Sequence, residues 1–224
     1  MNQFVINTPE LILGGQEILA PSTIPLREGE IHAILGKSGV GKSQLLKLIA
    51  DSVHDVSFVF QRPNLFPWLT LQENLRVALP AEVSQKEILN LLERFDLYQY
   101  RDLYPSEISV GMQQKCNLAR AILSSSKLIL MDEPFSALDY FQKEDIRSFV
   151  KNIFNEFKRS VILVTHDIEE AVFLSKKLFL LKGRPARLTQ ASVIAHFDHT
   201  NYKDIRYQNE FIESCNLLRE SFEC

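Results

Sequence analysis

Residues Gly36-Lys37-Ser38-Gly39-Val40-Gly41-Lys42-Ser43 fit the pattern Gly-x-x-x-x-Gly-Lys-Ser. Three of the eight glycines in the 224-residue chain fall in this short run. A loop that turns its backbone N–H groups inward around phosphate oxygens needs positions without a Cβ. In such a loop the Lys42 ammonium reaches the β- and γ-phosphates of a nucleoside triphosphate, and the Ser43 hydroxyl ligates Mg²⁺. Gln44 then opens a helix whose N-terminus adds partial positive charge to the site. A second group with chemistry to offer is Asp132-Glu133, which ends the apolar run Leu128-Ile129-Leu130-Met131. Beside a phosphate loop, Asp132 can hold Mg²⁺, and Glu133 can orient and polarise an attacking water.

The elements that would position these groups are legible. Ile31-His32-Ala33-Ile34-Leu35 reads as a buried strand leading into the loop, and Gln44-Leu45-Leu46-Lys47-Leu48-Ile49 as the helix that leaves it. Further apolar runs at 56–60, 128–131, 161–164 and 178–181 alternate with helical stretches. Near-continuous apolar strands separated by helices predict an α/β fold, with a mainly parallel sheet covered on both faces. From about Leu69 to Leu123 the pattern is helical without a clear strand. Ser84 followed by Glu87 forms a capping-box pattern ahead of Ile88, Leu91, Leu92 and Phe95. Met112, Cys116, Ala119 and Leu123 share one helical face. This stretch predicts a helical subdomain inserted into the α/β core.

Composition narrows the class. Lys plus Arg number 25 against 28 acids, for a net charge of −3, and no basic block suggests a nucleic-acid surface. No apolar run approaches the ~20 residues of a membrane-spanning helix. The start of the chain has neither the basic region nor the apolar stretch of a secretory signal. Cys116, Cys215 and Cys224 are odd in number and lack metal-ligand spacing, which predicts reduced thiols, Cys116 in the core.

Five segments together carry a resemblance. Leu130-Met131-Asp132-Glu133-Pro134-Phe135-Ser136-Ala137-Leu138-Asp139 resembles the Walker B and D-loop segment of ATP-binding cassette (ABC) ATPases. Val164-Thr165-His166-Asp167 resembles their switch-histidine segment, Phe58-Val59-Phe60-Gln61 their Q-loop, and Ser109-Val110-Gly111-Met112-Gln113-Gln114 their signature motif. With the phosphate loop these stand in the family's order, over roughly residues 5–190. Phe60-Gln61-Arg62-Pro63-Asn64-Leu65-Phe66-Pro67-Trp68-Leu69-Thr70, Tyr104-Pro105 and Arg184-Pro185 are similar to importer ATPases for nitrate, sulfonates, taurine and related solutes.

The resemblance implies a P-loop ABC ATPase core over 1–195, with the helical signature subdomain at about 69–123 and a C-terminal, helical tail at 196–224. It implies that residues 36–44 bind ATP, that Ser43, Gln61 and Asp132 serve Mg²⁺, and that Glu133, His166 and Gln61 serve hydrolysis. Ser109 and Gly111 would cap the nucleotide of a second ATPase domain, and Asp139 would lie at that interface, in a homodimer or heterodimer. The partners implied are a membrane permease docking near Phe66 and Trp68, and a separate solute-binding protein. The location implied is peripheral, on the cytoplasmic face of the cell membrane. The function implied is ATP hydrolysis that powers import of a small solute. Two alternatives stand beside it: a nucleotide-binding regulatory or partly degenerate subunit with low hydrolysis, and an ABC ATPase outside transport.

Three departures from the family pattern matter. Val110 replaces the first glycine of the signature, which would be costly if the backbone there required positive φ. Only residues 44–60 separate Ser43 from Gln61, which predicts a reduced antiparallel β-subdomain with 51–55 as a short replacement. The family stacks an aromatic residue from its N-terminal strands on adenine. Here Phe4 is the only aromatic residue before the phosphate loop, and it fits a core position.

Overall fold

The computed structural model describes residues 3–80, 82–124, 126–191, 197 and 201–223. Its strands are β1 (Gln3–Thr8), β2 (Leu11–Leu13), β3 (Gln16–Leu19), β4 (Ser22–Arg27), β5 (Ile31–Gly36), β6 (Val56–Val59), β7 (Leu128–Asp132), β8 (Ser160–Thr165), β9 (Lys177–Gly183) and β10 (Ala186–Gln190). Its helices are α1 (Lys42–Val53), α2 (Leu71–Val77), α3 (Gln85–Arg94), α4 (Val110–Leu123), α5 (Tyr140–Phe157), α6 (Ile168–Leu174), α7 (Tyr202–Ile205) and α8 (Asn209–Glu223). The main sheet has the order β2-β3-β10-β9-β5-β8-β7-β6, and β1 pairs with β4 in a separate antiparallel ribbon.

From β9 to β6 every neighbour is parallel. The reason is visible in the strand sequences, whose residues alternate between two cores. Ala33, Leu35, Ile129, Met131, Val161 and Leu163 face one core, which α4, α5 and α6 cover. Ile34, Leu128, Leu130, Ile162 and Val164 face the other, filled by Leu45, Leu46 and Ile49 of α1 and by the β1–β4 ribbon. A strand buried on both faces cannot alternate with polar residues, so it reads as a continuous apolar run.

The antiparallel part is small, as the short spacing predicts: the β1–β4 ribbon, the β2–β3 hairpin and the β9–β10 pair. Residues 51–55 are the last turn of α1 and a tight turn into β6, with His54 at φ 61. The stretch between β6 and β7 contains α2, α3, α4 and two 3-10 turns, and no strand among its described residues. Ser84 and Glu87 form the capping box that the sequence predicts.

The C-terminal helices pack back on the core through Tyr202, Ile205, Phe211, Cys215 and Leu218, all buried. Ile212 and Leu217 of α8 face solvent. Burial pushes the Cys116 and Cys215 thiols up to about 12, so both are inert packing groups at neutral pH. No helix among the described residues is long and apolar enough to cross a membrane.

Candidate functional site

The parallel strands β5, β6, β7, β8 and β9 all end at one edge of the sheet, where open α/β folds carry ligands. The register puts Leu35 opposite Thr165 and Asp132 opposite Val164. The phosphate loop, the Asp132-Glu133 pair and His166 therefore begin side by side. Gln61 follows the end of β6 at the same edge and is exposed.

The loop has the backbone its sequence demands. Gly39 has φ 78, and a Cβ added there would meet nothing within 4 Å, so this face of the loop is open. Gly41 has φ 107, and a Cβ there would come within 2.9 Å of Leu19. Glycine is thus required at Gly41 for both conformation and space. Lys42 is buried, and its ammonium donates to Gly36 O at 2.9 Å and Lys37 O at 3.1 Å. Its third contact is Glu133 Oε1 at 2.9 Å. The other carboxylate oxygen of Glu133 lies 2.9 Å from His166 Nδ1. Desolvation pushes the Glu133 carboxyl up, but its hydrogen bond to Lys42 and the charges of Lys42 and His166 outweigh this and hold it below its usual range. Glu133 also has φ 44, a strained conformation for a residue with a side chain, held by Glu133 N donating to Val164 O at 2.9 Å. Ser43 presents an exposed side chain at the loop's end, and Asp132 is half-buried at the end of β7.

Behind His166 lies a buried ionic cluster that sequence reading did not detect. Arg147 of α5 is buried and contacts Asp167 at 2.5 Å and Glu170 at 3.4 Å. Glu170 accepts from the Thr165 hydroxyl at 2.7 Å, and the Thr165 hydroxyl accepts from Asp167 N at 3.0 Å. Burial and the adjacent Asp167 push the Glu170 carboxyl up. Tyr202, from the C-terminal region, places its ring 4.9 Å from the Arg147 guanidinium and donates its hydroxyl to Glu169. The residues flanking His166 are thus clamped from α5 and from the tail. The sequence shows only three acids among residues 167–170, and nothing local pointed to Arg147.

The remaining predicted residues form a second group. Ser109 caps α4, accepting from Met112 N at 3.2 Å. Asp139 caps α5, accepting from Gln142 N at 2.9 Å. A Cβ added at Gly111 would meet Gln142 Oε1 at 3.7 Å, an ordinary contact. The described contacts of this group run among α4 and α5, not to the phosphate loop. Val110 is the first residue of α4 and is not in positive φ, so the strain expected of a side chain there does not arise. Its side chain is exposed.

Phe66 and Trp68 are not core residues. They are 36% and 69% exposed, and their rings pack together at 5.5 Å. The loop that carries them is fixed by Asn74, which is fully buried. Asn74 Oδ1 accepts from Phe66 N at 2.7 Å, and its Nδ2 donates to Phe66 O at 3.1 Å and Leu69 O at 2.9 Å. Arg120 adds a cation over the Phe66 ring at 5.9 Å.

A strand, a glycine loop and a helix with a buried loop lysine, flanked by strand-end acids, define a P-loop nucleotide-binding protein. The ABC transporter family model matches residues 19–57 and 51–136. The chain is 34% identical over 187 residues to an aliphatic sulfonates import ATP-binding protein of Pseudomonas savastanoi pv. phaseolicola, covering 79% of each chain. It is 37% identical over 192 residues to the Bacillus subtilis protein described in the same words, covering 76% of this chain and 75% of that one. Among solved structures, an ATP-binding cassette captured as a dimer in a post-hydrolysis state, bound to ADP and Pi, superposes with a TM-score of 0.69. That match is 26% identical and covers 87% of this chain and all of the other. The chain belongs to the ABC transporter family, as an ABC-type ATPase.

Proposed function

We propose that this chain is the ATP-hydrolysing subunit of an importer for a small solute of the nitrate, sulfonate or taurine type. It works as a dimer, peripherally, on the cytoplasmic face of a membrane permease. A separate solute-binding protein would deliver the cargo. The observation that carries the reading is the contact chain from Lys42 through Glu133 to His166 at the C-terminal edge of the sheet.

In this reading the phosphates of ATP lie along residues 36–44, and phosphate oxygens replace Glu133 as partners of Lys42. That exchange removes one of the groups that depress the Glu133 carboxyl, so its basicity rises as substrate binds. Glu133 then accepts a proton from the attacking water as its oxygen bonds to the γ-phosphorus. The bond from that phosphorus to the β–γ bridging oxygen breaks, and ADP leaves with the electron pair. His166 holds Glu133 in place and stands next to the transferred phosphoryl group. Ser43, Asp132 and Gln61 offer hard oxygen donors at the same edge, which suits Mg²⁺. Among the described residues no cluster of three or more His, Cys, Asp or Glu could hold a metal ion. When bound, Mg²⁺ offsets negative charge on the phosphates.

The dimeric arrangement rests on the second group. Within this chain an alanine would fit at Gly111, so a need for glycine there would come from outside, from a nucleotide approaching on a second ATPase domain. Ser109 and the N-terminus of α4 would meet its γ-phosphate, and Asp139 would lie along the interface. The rigid Phe66–Trp68 pair is suited to anchor a permease helix, since exposed aromatic side chains on a fixed loop bind at low entropic cost.

The test is phosphate release with Mg-ATP. Wild-type protein is expected to turn over, and Lys42→Ala to be inactive. A wild-type chain with no turnover, alone or with its permease, would refute the enzymatic role. Co-purification of the permease with Trp68→Ala protein tests the docking assignment, and undiminished recovery would refute it.

A further inference from the structure

Phe4 is the only Phe, Tyr or Trp in the sequence ahead of the phosphate loop. Phe4 packs into the second core, and the β2–β3 hairpin carries only aliphatic and polar side chains. A cavity of about 780 Å³ opens beside the phosphate loop, a volume typical of a nucleotide-sized ligand. One wall is the loop itself, residues 37–40. Another is strand β3, residues 16–18, and a third is the end of β9 with its turn, residues 181–184. The remaining wall is Phe222, the one aromatic ring among the described lining residues.

We infer that Phe222 is the aromatic wall of the base site, so that the C-terminal helix supplies the stacking surface that the N-terminal strands lack. Helical spacing delivers it. Phe211, Cys215 and Leu218 are buried along one face of α8, and Phe222 lies one turn beyond Leu218 on that face. The ring is half-buried, packed at its inner side against the first core and open at the other. Lys182 Nζ sits 5.2 Å from the ring centroid. Ile18 offers an apolar surface elsewhere in the cavity. With the phosphates at residues 36–44, the nucleoside end of the substrate would point into this cavity. Stacking uses a π-face that every base has, so the site distinguishes nucleotides from bare polyphosphate but separates purine bases only weakly.

This inference rests on the nucleotide-binding reading above, and one experiment separates the two. Affinities for ADP and for inorganic tripolyphosphate are measured calorimetrically on wild type, Phe222→Ala, Phe222→Trp and Lys42→Ala. The expected result is that Phe222→Ala weakens ADP about fivefold or more while tripolyphosphate binding is unchanged, because the loss of one base–aromatic stack falls on the base alone. Phe222→Trp retains ADP affinity, and Lys42→Ala loses both ligands. If Phe222→Ala binds ADP like wild type, the assignment is overturned and the nucleotide site stands. If it loses ADP and tripolyphosphate alike, the ring is structural and the assignment is likewise overturned. A wild-type chain that binds neither ligand would end both readings.

Discussion

Glu133→Gln should change two properties in opposite directions. The carboxylate lies 2.9 Å from the Lys42 ammonium, and the two side chains are 16% and 4% exposed. Unit charges at about 4 Å attract by about 4 kcal/mol at an effective dielectric of 20, most of it offset by desolvation. A charge-assisted bond of this kind leaves about 1.5–3 kcal/mol net, roughly twice a neutral bond. The amide keeps a hydrogen bond to Lys42 but not the charge, so about 1 kcal/mol less has to be displaced when phosphate takes over the ammonium. ATP affinity should therefore rise about fivefold. Turnover should fall by about 10²–10⁴, the usual contribution of a positioned general base. Equilibrium binding of ATP, measured at protein concentrations that keep the chain monomeric, reads the first effect, and phosphate release reads the second. A variant that is slow yet binds ATP no more tightly than wild type would refute the displacement of Glu133 from Lys42 by substrate.

Other substitutions test the groups behind the site. Arg147→Met should destabilise the fold by about 3–5 kcal/mol in urea melts, because it leaves Asp167 and Glu170 without their buried cation; a loss under 1 kcal/mol would count against the clamp. Burial and the nearby Lys177 charge lower the buried His32 imidazole from 6.5 to about 4. Between those values the unfolded chain binds the proton and the folded chain does not. Stability should thus be fully present above pH 6.5 and fall by up to about 3 kcal/mol as pH drops toward 4. His32→Gln, which keeps an acceptor for Arg27 N, should flatten that part of the profile. Val110→Gly should raise turnover by removing a side chain exposed at the start of α4, with a small loss of helix stability; equal turnover in the two forms would show that Val110 does not hinder the partner's nucleotide.

Much of the site was legible because its parts are local. The phosphate loop needs its glycines and its Lys-Ser within one turn of chain, and Asp132-Glu133 directly follows the strand that presents it. The doubly buried strands betrayed the parallel sheet through their unbroken apolar runs. What escaped were contacts made across the fold. Asn74 is one polar residue on a short helix in the sequence, yet it is fully buried and fixes the Phe66–Trp68 loop by bonding backbone groups several residues away. Arg147 reads as one charge on an amphipathic helix, and only packing places it against Asp167. Phe222 lies far along the chain from residues 37–40, and only the packing of α8 back on the core brings it to the same cavity. Val110 is a different case. Its cost depended on a backbone conformation that sequence does not report, and that residue turned out to be helical.

The central claim is a nucleotide site completed by a second ATPase domain. The most direct test is the solution mass of Glu133→Gln protein by light scattering, with and without Mg-ATP. The substitution preserves binding and blocks hydrolysis, so the closed assembly accumulates. The account predicts that the mass doubles from 25.8 kDa only when Mg-ATP is present. A protein that binds ATP yet stays at the monomer mass would contradict a site shared between two copies of this chain.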